Sequence, residues 1–311
     1  MNKVEERLNS ILRKAENSSE ITTSHFSKLD VTNKLVTFSF FDLNQCKIKF
    51  SVLVLVLGHL LYKSDIFNSS DECFLEMPSD ASKIFREPES CDICNNIDQV
   101  DKVVNISALD FYEKYARMAK PLVVNDGAVS WPAIKVFDFE FFKDLYNSID
   151  TKQNSRRNCQ FFPYKTEFKS LEEVFEMKIE RSILAPGEKS WYVGWNNCND
   201  EAGKILQQYY EKPYFLSNNS ENIAMSWIFM GGPGHGAHMH VDNVHYPSWQ
   251  AQLRGKKLWK LAPPPECLYK CKTFEVVVEP GEIIVVDTNR WYHQTFILPG
   301  EISITIGSEF D

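Results

Sequence analysis

The chain has 311 residues, 43% of them apolar, with 22 Phe, 12 Tyr and 7 Trp, which is enough bulky surface for a large core and unlike a disordered chain. Lys and Arg total 34 against 42 Asp and Glu, a net charge of −8, which excludes a protein that holds nucleic acid non-specifically through accumulated positive charge. Eight cysteines leave the redox compartment open, because the close pairs Cys91/Cys94 and Cys267/Cys271 do not stand at zinc-ribbon spacing.

Residues 1–49 read as an N-terminal tail, opening with a short amphipathic helix that carries Val4, Leu8, Ile11, Leu12 and Ala15 on one face. From Phe50 to Tyr62 the chain runs thirteen residues without a charge. A full membrane helix takes about 20 apolar residues, so length favours a buried strand or core helix. The flanks favour a short signal-anchor over 50–67. Lys28, Lys34, Lys47 and Lys49 precede the run and Asp65, Asp71 and Glu72 follow it, a bias that keeps the N-terminus cytosolic. A single-pass type II protein with a lumenal or extracellular catalytic domain is the expectation, and a soluble cytoplasmic or nuclear protein is the alternative. On the lumenal side seven cysteines allow up to three disulfides, and Asn68, Asn105 and Asn218 open glycan-acceptor triplets. Residues 68–100 are polar and read as a stalk or linker, with Cys91 and Cys94 as a local disulfide or plain thiols.

The region 101–222 reads as an α/β flank. Ser107 caps a helix that Pro121 ends, Leu122–Asn125 is a buried strand, Asp138–Ser148 is a helix and Ser170-Leu-Glu-Glu173 is a capping box. Trp191–Trp195 is a strand and Gly203–Glu211 a short helix. After Ile223 the pattern is strand and turn only: IAMSWIFM, WQAQL, KKLWKL, FEVVVE, IIVVDT, WYHQTFIL and EISITI, separated by Gly- and Pro-containing turns. That rhythm predicts a mainly β (α+β) protein whose 223–311 core is a jelly-roll, or double-stranded β-helix.

The chemistry concentrates in Gly231–Leu261, where four histidines and an aspartate fall within His235–His245. His238, His240 and Asp242 recur at every second position and would share one face of an extended strand. His-x-Asp plus a distant His is the facial triad of non-haem Fe(II) oxygenases, which leaves three positions on the metal open. His240 and Asp242 supply two ligands, and His293, in Arg290-Trp-Tyr-His293, returns from a late strand as the third. Such a site also needs a cation for the far carboxylate of 2-oxoglutarate. Lys257 in Gly-Lys-Lys-Leu-Trp-Lys is the candidate. His235, His238 and His245 are left as neighbours, and Trp249, Trp259 and Trp291 as packing residues.

His-x-Asp, Trp249 nine positions after His240, AQLRGKKLWKLAPP, PGEIIVV and WYH together resemble a JmjC domain over residues 223–307. The spacing is similar to the small JmjC lysyl hydroxylase branch and, less closely, to the asparaginyl hydroxylase factor inhibiting HIF. PLVVNDGAVSWPA extends the likeness into 105–222. The resemblance implies a double-stranded β-helix with Fe(II) on His240, Asp242 and His293, and 2-oxoglutarate and O2 as co-substrates. It implies Lys257, with Tyr192, on 2-oxoglutarate, and a protein or peptide substrate that is hydroxylated, or demethylated where the carbon bears a methylated nitrogen. The last strand, Ser303–Phe310, lacks the Asn that the family commonly has before its aromatic residue, and no oligomeric state is carried over. Two rivals keep the same barrel. One is a cupin-type metalloenzyme without 2-oxoglutarate that uses His238 and His240 as a His-x-His pair with His293. The other is a non-catalytic binding module.

Overall fold

Alternating strands and long-range pairing dominate the structure, a computed structural model that describes residues 88–149, 159–164, 166–220 and 226–311. The expected N-terminal helix, the apolar run at 50–62 with its anchor reading, and Asn68 lie outside the described residues. Among those residues, no helix is long and apolar enough to cross a membrane.

Twelve strands are described: β1 (Asp101–Val103), β2 (Leu122–Val124), β3 (Phe161–Phe162), β4 (Tyr192–Asn196), β5 (Trp227–Gly231), β6 (Gly234–His235), β7 (Ser248–Arg254), β8 (Lys257–Ala262), β9 (Phe274–Val278), β10 (Ile283–Val286), β11 (Tyr292–Ile297) and β12 (Ser303–Glu309). One sheet runs β1-β2-β10-β7-β12-β5-β4-β3 and the other β6-β11-β8-β9. The cupin-like β architecture expected from 223–311 is therefore present. It is not confined to that region, because β2 pairs with β10 and β4 with β5, so strands from 101–222 complete the large sheet.

Period two sorts each strand into faces. On the large sheet Val193, Trp195, Ile228, Met230, Trp249, Ala251, Leu253, Ile304 and Ile306 face one cluster that also takes in Phe137 and the helical side chains Phe139 and Phe142. Their alternates, Tyr192, Gly194, Phe229, Gln252 and Thr305, face the other way. A second apolar cluster joins Val123, Ile284 and Val286 of the large sheet to Trp259, Leu261, Phe274, Val276 and Val278 of the small one. One part of the space between the sheets is thus greasy and another is polar.

The helices follow their caps. Ser107 Oγ accepts from Asp110 N to start α1 (Ala108–Phe111). After the short α2 (Ala133–Val136), Asp138 caps α3 (Phe139–Ser148), whose Phe139, Phe142 and Leu145 are buried. Ser170 caps α4 (Leu171–Phe175), followed by α5 (Ile179–Ser182). The capping box forms with one change: Glu173 reaches back to Lys169 N. The helix expected over 203–211 starts earlier, as α6 (Asp200–Leu206), because the Asn199 side chain accepts from Glu201 N and Ala202 N.

Residues 88–100 are not a free stalk. Ile93, Cys94, Ile97 and Val100 are buried in the second cluster, and Cys91 and Cys94, on one 3-10 turn, are bonded to Cys267 and Cys271 rather than to each other. Three residues apart on a 3-10 turn, the thiols project to the same neighbouring segment, which a local bridge would prevent. A third disulfide joins Cys159 to Cys198.

Candidate metal and co-substrate site

His240, Asp242 and His293 come together with ligand atoms all within 4.8 Å of one another, the one such group among the described residues. The backbone arranges this. His240 N donates to His293 O at 3.1 Å and His293 N to His240 O at 2.8 Å, an isolated bridge that sets the two imidazoles side by side with ring centroids 4.2 Å apart. Asp242 N donates to Thr288 O at 2.8 Å, which anchors the carboxylate's own residue to the start of the next turn. Around that bridge 236–247 is irregular and not the continuous strand that the alternation suggests. Gly236 allows this close passage, since a Cβ there would lie 2.3 Å from Thr295 Oγ1.

Each imidazole presents Nε2 to the carboxylate. His240 Nε2 is 3.3 Å from Asp242 Oδ1 and His293 Nε2 is 3.8 Å from Asp242 Oδ2. The other ring nitrogens face carbonyls, His240 Nδ1 to His238 O at 2.6 Å and His293 Nδ1 to Trp291 O at 3.2 Å. With Nδ1–H donating there, both Nε2 lone pairs point inward, the tautomer a metal requires. Cis ligands with ~2.1 Å bonds stand about 3 Å apart, so the donor set fits a small divalent ion with little movement. Trp259 stacks on His293 at 5.9 Å and fixes its ring plane.

The titration state of His293 agrees with that tautomer. Burial pushes His293 down to about 4, even against the attraction of Asp242, so it is neutral at pH 7. Burial also pulls on His240, but its hydrogen bonds to Asp242 and to the His238 carbonyl hold it above its ordinary value. Asp242, despite burial, is held below the usual carboxylate range by the two imidazoles.

His238 is exposed and lies outside the group, although its ring is 5.3 Å from that of His240. His245 is exposed as well, and the His235 side chain lies outside the described residues. Trp249, Trp259 and Trp291 are buried packing residues.

Lys257 opens β8, and the alternation of that strand turns it inward with Trp259 and Leu261. It is 0% exposed. Nζ donates to Tyr192 Oη at 3.2 Å and to Thr305 Oγ1 at 2.5 Å; Thr305 Oγ1 in turn donates to Gln252 Oε1 at 3.0 Å, and Gln252 Nε2 to Ser303 Oγ at 2.9 Å. No carboxylate among the described residues pairs with it, and burial alone pulls it down to about 7. A buried ammonium with only neutral partners is costly, and a ligand carboxylate would supply the missing counter-charge. The structure therefore brings Lys257 and Tyr192 into hydrogen-bond contact, and His240, Asp242 and His293 into one cluster. The sequence reading missed Thr305 and Gln252. Their signal was a polar residue at an inward position of an otherwise apolar strand, SITI and WQAQL.

Comparison with known proteins places this geometry in context. The family model described as a cupin-like domain matches residues 108–270. The chain is 25% identical over 262 residues to an Arabidopsis thaliana protein named arginine-specific demethylase JMJ20, covering 67% of this chain and 56% of that one. It is 23% identical over 255 residues to the Gallus gallus 2-oxoglutarate and iron-dependent oxygenase JMJD4, covering 67% and 59%. The chain thus spans little more than half the length of either of these relatives. Among solved structures, the Escherichia coli ribosomal oxygenase YcfD aligns with a TM-score of 0.44 at 16% identity, over 68% of this chain and 52% of that one.

Proposed function

Because the chain belongs to the family of cupin-like domains, we propose that it is an Fe(II)- and 2-oxoglutarate-dependent oxygenase that hydroxylates a side chain of a protein substrate. His240, Asp242 and His293 would hold the metal on one side and leave the other open. Lys257, with Tyr192 and Thr305, would take the far carboxylate of 2-oxoglutarate. Bound there, the metal with 2-oxoglutarate and dioxygen supplies the oxidising power for C–H hydroxylation, 2-oxoglutarate leaving as succinate and carbon dioxide. The protein's own part is to fix ligand geometry, to place the cation that orients the co-substrate, and to keep water from the apolar wall built by Trp259 and Leu261.

Lys257 carries this reading. A buried, carboxylate-free cation on β8, the strand paired with the one that carries His293, is what a metal-chelating dicarboxylate needs, and a barrel that only binds partners has no use for it. The same chemistry on a methylated nitrogen would end in demethylation. The cupin-type alternative would recruit His238, which is exposed and outside the cluster.

The test is calorimetric titration of the Mn(II)-loaded protein with 2-oxoglutarate. Wild type and His238→Ala bind both metal and co-substrate, His240→Ala loses the metal, and Lys257→Met keeps the metal but binds 2-oxoglutarate at least 100-fold more weakly. Lys257→Met binding like wild type, or His238→Ala losing its metal, refutes the reading.

The described domain also supports an oxidising compartment. Three disulfides form, two of them linking residues 176 and 177 apart, and the acceptor residues Asn105 and Asn218 are both exposed. A lumenal or extracellular catalytic domain, tethered through 50–67, is the localisation we propose from this.

A further inference from the structure

The edge of the large sheet next to Tyr192 holds a residue that neither the triad nor the lysine accounts for. β3 pairs with β4 in the register Phe161↔Trp195 and Phe162↔Gly194. Continuing that register brings Tyr164 against Tyr192, and the two rings pack at 5.2 Å and 47°. Tyr164 does so from a left-handed backbone, φ +43, that a bulky residue adopts only when its surroundings impose it. The surroundings are a turn closed by Thr166 N and Thr166 Oγ1, both donating to Pro163 O, and the Cys159–Cys198 bond that ties the chain just before β3 to the chain just beyond β4.

The space beside Tyr164 is also shaped for it. A Cβ on Gly194 would stand 2.7 Å from Phe229 Cδ1 and 3.2 Å from Tyr164 Cε2, so the glycine leaves room for both rings. Phe229 and Tyr192 are the rings against which Lys257 Nζ lies, at 5.7 and 5.6 Å from their centroids. Tyr164 therefore packs on the same face of the sheet as Tyr192 and Phe229, against the rings that meet the lysine.

We propose that Tyr164 is a specificity-determining residue that sets the depth of the co-substrate pocket: by holding Tyr192 against Lys257 it fixes how far a 2-oxo diacid can reach from the metal. The inference rests on the proposed oxygenase reading. Tyr164 acts through Tyr192 and is a positioning residue. Its ring, not its hydroxyl, does this, so Phe can replace it and Ala cannot.

One extra methylene in a fitted pocket is discriminated by about tenfold or more. The experiment measures, on full-length Mn(II)-loaded protein, the dissociation constants of 2-oxoglutarate and of the one-carbon-longer 2-oxoadipate, together with Mn(II) affinity. Wild type and Tyr164→Phe prefer 2-oxoglutarate by about tenfold or more. In Tyr164→Ala the preference narrows to within about threefold while Mn(II) affinity stays unchanged, a split that general misfolding would not produce. An unchanged preference in Tyr164→Ala, or a wild type that does not discriminate, overturns the inference and leaves the oxygenase reading standing. Wild type with no affinity for 2-oxoglutarate overturns both.

Discussion

Lys257 titrates near neutrality because burial is not offset by a carboxylate, and this gives the site a definite pH signature. In the proposed site it is the ammonium form that would pair with the ligand carboxylate. Affinity for 2-oxoglutarate is therefore full below pH ~7 and falls by about tenfold per unit above it, until the ligand-bound lysine itself titrates. Calorimetry between about pH 6 and 9 checks this; a flat profile would mean that the lysine does not touch the ligand. Stability follows the same group with its sign reversed. The folded pKa lies below the unfolded one, so burial of Lys257 costs stability in full below pH ~7, and the cost is relieved as pH rises towards the ordinary lysine value. Lys257→Met should thus raise the denaturation free energy at neutral pH by about 2–4 kcal/mol while abolishing co-substrate binding, as a functional residue held against its solvation preference does. A destabilised Lys257→Met protein would contradict it.

At the scale of elements, the clamp of Cys91–Cys94 on Cys267–Cys271 closes the longest loops in the described chain. Closing a loop of 100 residues or more removes about 4–5 kcal/mol of unfolded-state freedom, but a second bridge beside the first closes almost nothing new. Cys94→Ser should cost about 1 kcal/mol, and Cys91→Ser with Cys94→Ser about 4–5, in urea unfolding. A double variant costing the full sum of two large single costs would mean that the bridges act independently.

This pairing was not legible in the sequence, where Cys91 and Cys94 look like local partners, because nothing local reports a contact 176 residues away. The strands were legible, since KKLWKL, FEVVVE and WYHQTFIL alternate as β8, β9 and β11 do. His240, Asp242, His293 and Lys257 stood out as candidates because their residue types are rare at those spacings, and the first three do cluster. The local error at the site was to place His238, His240 and Asp242 on a strand: the segment is held by a single bridge to His293, which lets His238 turn outward. Tyr164 was silent, being one aromatic among many, and only the β3–β4 register gives it a role.

At the scale of the whole molecule, the oxidising compartment proposed here rests on three disulfides and two exposed acceptor asparagines, while the net charge of −8 speaks against non-specific nucleic-acid binding. Protein expressed in cells should lose mass on endoglycosidase treatment, and Asn105→Gln with Asn218→Gln should reduce that shift; protein without glycans and with all thiols free would remove the lumenal assignment. The central claim is that this barrel couples a His/Asp/His metal to 2-oxoglutarate. The most direct measurement of it is succinate formation by purified protein supplied with Fe(II), 2-oxoglutarate and air, across candidate peptides. The account predicts succinate from wild type, stimulated by a true substrate, and none from His240→Ala. Wild type that forms no more succinate than His240→Ala contradicts it.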